Sequence, residues 1–245
     1  AAMLRRYCTL RDLPPDFRVA EQTEADAIRL EIFQNTLEDF YKDRANQADF
    51  SAMADPWAGA TVMVDITDFL PAIRARGLPF FLSFLFAVSR AGNAVPERRR
   101  LLPDGTVVEY DLCQPSYTAM KPDGAYVYVD VDGGISDLRA FCAQGKANQA
   151  AAIEKGVLAE DGDVLDHFFI SSVPWLPYVQ IKLPGGMPRD SHPRISWGQY
   201  REENGRIQIP VTLYVHHALA DGLHISRFFE NLRRELDAIT NDKEI

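Results

Sequence analysis

Apolar and polar side chains alternate strictly along residues 207–215 of this 245-residue chain. The apolar positions of that stretch are Ile207, Ile209, Val211, Leu213 and Val215. A two-residue period predicts a β-strand with one buried face. Apolar residues then recur every three or four positions over residues 225–239, which predicts an amphipathic helix. The chain therefore turns from a strand into a helix near residues 216–224.

The same two periods predict the other elements of the chain. Strands are expected over residues 61–65, 106–110, 126–131, 168–172 and 179–183, and further helices over residues 78–92 and 138–156. Because strands and helices are interspersed, we predict an α/β fold: a two-layer sandwich with helices packed on a mixed sheet.

The start of the chain carries a helical pattern of its own. A break at Pro14-Pro15 precedes residues 21–40, whose apolar positions are spaced as in a helix. We therefore predict a helical N-terminal extension over residues 1–39 and one main domain over residues 40–245.

Two histidines, His216 and His217, stand at the predicted strand-to-helix junction, and Asp221 follows His217 by four residues. Histidine accepts and returns a proton near neutral pH when its ring orientation and tautomer are fixed. The Asp221 carboxylate has three possible roles: it braces an imidazole, it pairs with a cation elsewhere in the fold, or it only caps the next helix. The spacing leaves these alternatives open.

Composition narrows the class of protein. Hydrophobic residues make up 47% of the chain, enough for a full core, and a net charge of −9 argues against a nucleic-acid partner. The longest apolar run, over residues 78–88, is shorter than the roughly 20 residues of a membrane span, and no signal peptide is recognised. We expect a soluble, cytoplasmic protein without a membrane partner. Its three cysteines stand at no metal-binding spacing, so we expect no metal.

The pattern His-His-x-x-x-Asp-Gly over residues 216–222 resembles the active-site signature of chloramphenicol acetyltransferases and of the wider coenzyme A-dependent acyltransferase superfamily. Three further segments, residues 62–67, 168–175 and 193–200, look like the chloramphenicol acetyltransferase branch and occur in the same order. The resemblance covers roughly residues 40–240. It implies the two-layer sandwich of that family, with acetyl-CoA as co-substrate and no metal.

The resemblance also implies roles for individual residues. His217 matches the general base that takes a proton from the acceptor, and Ser171 matches the serine whose hydroxyl stabilises the oxyanion. Asp221 matches the structural acid of the signature, which in the family pairs with an arginine. Arg44 stands at about the right distance for that arginine, although its surroundings match poorly.

Other matched positions concern the coenzyme. Ser196 stands where the family has a threonine that helps hold a water near the intermediate, and Trp175 and Tyr200 match aromatic residues beside coenzyme A. The family further implies direct attack on the thioester without an acyl-enzyme, and a homotrimer whose active sites lie between subunits.

The chain departs from the family pattern in two places. The early acceptor-binding motif is not recognisable over residues 40–50, and Gln199 replaces a lysine usually found before the aromatic residue beside coenzyme A.

From the resemblance as a whole we predict a coenzyme A-dependent, O-acetyltransferase-like enzyme that acts on a hydroxyl or amine of a small-molecule acceptor, with chloramphenicol as one candidate. The alternatives are a redirected base-catalysed reaction on an acyl or carrier-bound substrate, and a binding module without catalysis.

Overall fold

The computed structural model describes residues 53, 55–95, 99–101, 107–156, 164–183 and 190–242. The predicted N-terminal extension over residues 1–39 and Arg44 lie outside the described residues, as does the start of the strand predicted over residues 106–110.

The described residues form helices and strands in an interspersed order. The helices are α1 (Phe69–Ala75), α2 (Phe80–Asn93), α3 (Leu138–Lys155) and α4 (Gly222–Asn241). The strands are β1 (Trp57–Asp65), β2 (Arg99–Leu101), β3 (Val107–Glu109), β4 (Gln114–Met120), β5 (Tyr126–Asp130), β6 (His167–Ser172), β7 (Arg194–Trp197), β8 (Arg201–Glu203) and β9 (Arg206–His216). None of the helices described is long and apolar enough to cross a membrane.

Seven of these strands make one mixed sheet in the order β1-β9-β7-β6-β4-β5, with β8 also paired to β9. β6 runs parallel to both β4 and β7, while β9 runs antiparallel to β1, β7 and β8. β2 and β3 form a separate two-stranded ribbon. The structure confirms the predicted α/β class and the mixed sheet.

The hydrophobic core lies between one face of the sheet and the helices. The ring of Trp197, only 1% exposed, packs edge-on against Phe84 of α2 at a centroid distance of 5.1 Å. Ile195 and Leu213 are opposite one another on β7 and β9 and are buried on the same face. Because side chains alternate along a strand, the residues between these apolar ones project from the other face.

The predicted boundaries were largely correct, with a few errors. The strand predicted over residues 179–183 is absent, since those residues form no strand and Val179 is 85% exposed. Apolar and polar residues alternate over residues 179–183, but the apolar side chains do not form a buried face that would favour pairing in a sheet. The pattern also missed α1, β2, β4, β7 and β8, whose short or polar sequences carry too few apolar repeats.

A buried charged cluster holds the segment before β7 against the start of β6. The carboxylate of Asp190 accepts hydrogen bonds from Arg194 and from the backbone N–H of His192, at 2.9 Å for the latter. The His192 ring contacts Asp190 through Nδ1 at 2.7 Å and the Val164 carbonyl through Nε2 at 3.0 Å. Burial alone would raise the pKa of Asp190, but the hydrogen bonds from His192 and Arg194 outweigh it and hold that pKa well below its usual range.

This cluster predicts a pH-dependent stability. Replacing Asp190 by Asn leaves the Arg194 charge buried without its partner, which is expected to lower the free energy of unfolding at pH 7 by about 3 kcal/mol. The folded-state pKa is depressed, so the wild-type contribution is present above the unfolded pKa of about 3.9 and is lost as the pH falls toward the folded-state value. Urea unfolding between pH 7 and pH 3 should show the gap between the two proteins narrowing below about pH 4.

A matched control is Asp55→Asn, because Asp55 pairs with Lys182 at 3.0 Å in an exposed position. That substitution should change stability little at either pH. A D190N protein as stable as the wild type at pH 7 would contradict a stabilising role for the cluster.

Candidate active site

His217 lies directly after β9, and its backbone is fixed at the end of the sheet. Its backbone N–H donates to the carbonyl of Pro56 at 2.7 Å, beside the first residue of β1. The half-buried ring places Nδ1 3.2 Å from the carbonyl oxygen of Ala220. A carbonyl only accepts hydrogen bonds, so Nδ1 carries the hydrogen and the lone pair of the neutral ring lies on Nε2. This is the fixed tautomer that a general base requires.

His216 sits in a different environment from its neighbour. Its Nδ1 lies 3.3 Å from the backbone N–H of Ala218, which donates to it, and its ring meets that of Trp57 edge-on at 5.8 Å. Burial lowers the pKa of His216, and the charge of Asp190 opposes that shift only in part. The structure therefore gives His216 the role of a neutral, buried acceptor that shapes the loop.

Asp221 is the N-cap of α4. Its Oδ1 accepts hydrogen bonds from the backbone N–H groups of Leu223 at 2.9 Å and His224 at 3.3 Å. The Nδ1 of His224 lies 2.6 Å from that same oxygen and 3.0 Å from the backbone nitrogen of Asp221, which closes a capping box. The imidazole that meets Asp221 is thus that of His224, a residue the sequence analysis missed. Its position three residues after the cap was the available signal.

Ser171 and Ser196 belong to a line of hydroxyl side chains across the sheet. Ser171 of β6 is opposite Ser196 of β7, Ser196 is opposite Thr212 of β9, and Thr212 is opposite Thr61 of β1. Opposite residues project from the same face, which here is the face away from the Trp197 ring. We call Thr61, Thr212, Ser196 and Ser171 the hydroxyl row. Ser196 is fully buried and Ser171 is half-buried.

Trp175 and Tyr200 lie at the same end of the sheet as the two serines. Trp175 is in the turn after β6 and is 63% exposed, and the backbone N–H of Gln199 donates to Leu176 next to it at 3.1 Å. The Tyr200 hydroxyl accepts a hydrogen bond from Arg74 at 3.0 Å. An exposed aromatic ring and a cation beside a second aromatic ring suit a ligand with both a flat and an anionic part.

The predicted site residues fall into two groups rather than one. Ser171, Ser196, Trp175 and Tyr200 form one group, which we call the serine end, and His217 and Asp221 form the other, the histidine end. His217 follows Thr212 by five positions on or just beyond β9, and Thr212 is opposite Ser196. At about 3.4 Å per residue, these five positions place the two ends of one chain about 17 Å apart. A single chain therefore does not bring His217 to Ser171.

The fold is shared with a known class of acyltransferase. A solved structure named chloramphenicol acetyltransferase superposes with a TM-score of 0.65 and is 25% identical in sequence, covering 80% of this chain and 97% of the other. The family model described as chloramphenicol acetyltransferase matches residues 33–233. The chain belongs to the chloramphenicol acetyltransferase family, which confirms the resemblance seen in the sequence.

Two curated relatives show how far the sequence has diverged. The chloramphenicol acetyltransferase of Vibrio anguillarum is 30% identical over 185 residues, covering 74% of this chain and 83% of the relative. The chloramphenicol acetyltransferase of a Klebsiella species is 27% identical over 189 residues, covering 77% and 86%. At this level of identity the fold is shared, while side chains that contact a substrate are free to differ.

Two substitutions of Asp221 distinguish its role as the N-cap of α4 from the effect of its negative charge on stability. Asp221→Ala removes the acceptor for two backbone N–H groups at the start of α4 and should lower the free energy of unfolding by about 1 to 2 kcal/mol. Asp221→Asn keeps an oxygen in the same place and should retain most of that stability. Thermal unfolding of both variants measures the difference. Equal losses in the two would contradict the capping role.

Proposed function

We propose that the protein transfers an acetyl group from acetyl-CoA to a hydroxyl or amine of a small-molecule acceptor, with His217 as the general base. The observation that carries this proposal is the contact between His217 Nδ1 and the Ala220 carbonyl, which leaves Nε2 as the basic nitrogen. Membership of the chloramphenicol acetyltransferase family supports the reaction type.

In the proposed reaction Nε2 of His217 takes the proton of the acceptor group as its oxygen or nitrogen attacks the thioester carbonyl. The carbonyl oxygen becomes an oxyanion, which accepts a hydrogen bond from the hydroxyl of Ser171. Collapse of this tetrahedral intermediate breaks the carbon–sulfur bond. The leaving thiolate takes the proton back from the imidazolium, so free coenzyme A departs and no acyl-enzyme forms.

The remaining residues of the serine end serve the coenzyme side. Ser196 is buried directly beside Ser171, a position suited to holding a water near the intermediate. Trp175 and Tyr200 offer aromatic surface to coenzyme A, and Arg74 adds a positive charge next to Tyr200. That charge partly offsets the loss of the family's lysine at Gln199.

The separation of the two ends supports an active site shared between copies. Because His217 and Ser171 of one chain are about 17 Å apart along the strand direction, one thioester cannot meet both. We propose that the chain forms a homotrimer in which the serine end of one subunit faces the histidine end of its neighbour. Cyclic symmetry then repeats the same contact three times.

The proposal specifies the acceptor only by class, as a hydroxyl or amine of a small molecule. Residues 40–50, where the family's early acceptor motif is not legible, lie outside the described residues. Chloramphenicol is therefore one member of an acceptor panel. If acetyl-CoA binds but no acceptor yields free coenzyme A, the redirected reaction is favoured, and if neither binding nor release occurs, the binding module is favoured.

His217→Ala tests the base directly. Loss of a general base should lower the turnover number by about 10²- to 10⁴-fold while acetyl-CoA binding is retained. Release of coenzyme A, followed with a thiol reagent, measures turnover, and calorimetry measures binding. The neighbouring His216→Gln keeps a hydrogen-bond acceptor and should stay within about 10-fold of the wild type. An H217A protein with unchanged turnover would overturn the mechanism.

Ser171→Ala tests the oxyanion contact. Removing one such donor should lower the turnover number by about 10²- to 10³-fold, with little change in the KM for acetyl-CoA. Ser172→Ala is the matched control, because Ser172 is the next residue of β6 and projects from the opposite face. Comparable losses in S171A and S172A would show that the effect is structural and not catalytic.

A further inference from the structure

Tyr178 is a buried tyrosine that none of the roles described so far uses. It follows the turn after β6, where the backbone N–H of Leu176 donates to the carbonyl of Val173 at 3.1 Å, and it is 8% exposed. Its ring lies directly on Gly198: a Cβ atom at Gly198 would be 2.8 Å from the Tyr178 Cε1 atom. The absence of a side chain at position 198 therefore lets the ring pack closely against β7.

The Tyr178 hydroxyl reaches the middle of the hydroxyl row. Its oxygen is 3.4 Å from Ser196 Oγ, 3.5 Å from Thr212 Oγ1 and 3.5 Å from the carbonyl oxygen of Pro210. Thr212 in turn lies 2.7 Å from the Thr61 hydroxyl. One phenol thus connects two members of a row that ends at Ser171.

Each hydroxyl group in this network has one proton, which limits the hydrogen bonds that can form at the same time. Thr212 donates to Tyr178, and Tyr178 has one proton to give to either Ser196 or the Pro210 carbonyl. Burial raises the pKa of Tyr178, more than its bonds to Ser196 and Thr212 lower it, so the phenol keeps that proton at neutral pH. When Tyr178 donates to Ser196, the proton of Ser196 is directed away from the phenol.

We propose that Tyr178 is a positioning residue: by donating to Ser196 Oγ it turns the Ser196 proton toward the thioester side of the serine end. Ser196 then presents a donor next to Ser171, for the oxyanion or for a water bound to it. This inference rests on the proposed function, since it assigns Ser196 a part in that reaction. Tyr178 itself does not touch the reacting atoms.

Tyr178→Phe removes a single oxygen and keeps the ring against Gly198. The turnover number should fall about 3- to 10-fold, as expected for one neutral hydrogen bond, while the KM for acetyl-CoA stays within about 2-fold. The control is Tyr117→Phe. Tyr117 is also buried, and its hydroxyl bonds to Gln149 at 3.1 Å on the other face of the sheet. Y117F should leave turnover unchanged.

A double-mutant cycle distinguishes positioning from a general structural effect. In a Ser196→Ala background, Tyr178→Phe should cause no further loss, because the group that it orients is gone. The same loss in both backgrounds would overturn the proposal, as would a Y178F protein with wild-type turnover.

A readout that does not depend on turnover separates this inference from the proposed function. If the wild type releases no coenzyme A with any acceptor, the proposed function fails, and neutron crystal structures of the wild type and Y178F, which locate hydroxyl deuterium atoms, then decide the matter. A Ser196 hydroxyl that points away from Tyr178 in the wild type and in another direction in Y178F supports the positioning role. The same hydroxyl orientation in both proteins contradicts it.

Discussion

The register of β9 is the constraint on which the rest of the structure depends. β9 pairs with β1 over nine residues, from Trp57 opposite His216 to Asp65 opposite Gln208, and pairs on its other side with β7 and β8. Its apolar side chains face the helices and its polar ones face away. A slip of one residue would turn Val211 and Leu213 away from the helices and would place Thr212 among the apolar residues of the core, so the packing of the core fixes the register.

That register also determines where the residues of the candidate site lie. It aligns Thr212 with Ser196 and, through β7, with Ser171, and it places His217 just past the last paired residue of the strand. One strand therefore sets the position of the hydroxyl row and of the proposed base, His217, and it keeps them five residues apart. Side-chain rotation cannot close this distance, because a serine or histidine side chain is only a few ångströms long. The proposed association of copies is the physical means of bringing the two ends together.

The sequence predicted an element correctly where the pattern of apolar residues within that element was regular. Alternation over residues 207–215 predicted β9, and the helix pattern with Asp221 ahead of it predicted α4 and its start. β4 was missed because Pro115 and its polar neighbours are typical of a turn, although in the sheet Pro115 contributes only a carbonyl, which accepts from Val131 at 3.2 Å. α1 was missed because it is short and contains Pro71.

The candidate site could be proposed from the sequence only residue by residue, through family resemblance, and not as an arrangement. That Ser171, Ser196, Thr212 and Thr61 line up depends on pairing between strands far apart in the chain, which no local period encodes. Tyr178 illustrates the same limit, since its hydroxyl meets residues 18 and 34 positions away. The two-group arrangement of the site is likewise a consequence of sheet register, which becomes visible only when the strands are paired.

The most direct test of an active site shared between subunits is complementation between two inactive variants. Ser171→Ala and His217→Ala chains carrying different tags are co-expressed, and assemblies containing both tags are isolated and assayed for coenzyme A release. If the active site joins two subunits, each mixed trimer regains one intact site in three, so turnover should recover to roughly a third of the wild-type value. Mixed assemblies no more active than either variant alone would contradict a site shared between copies.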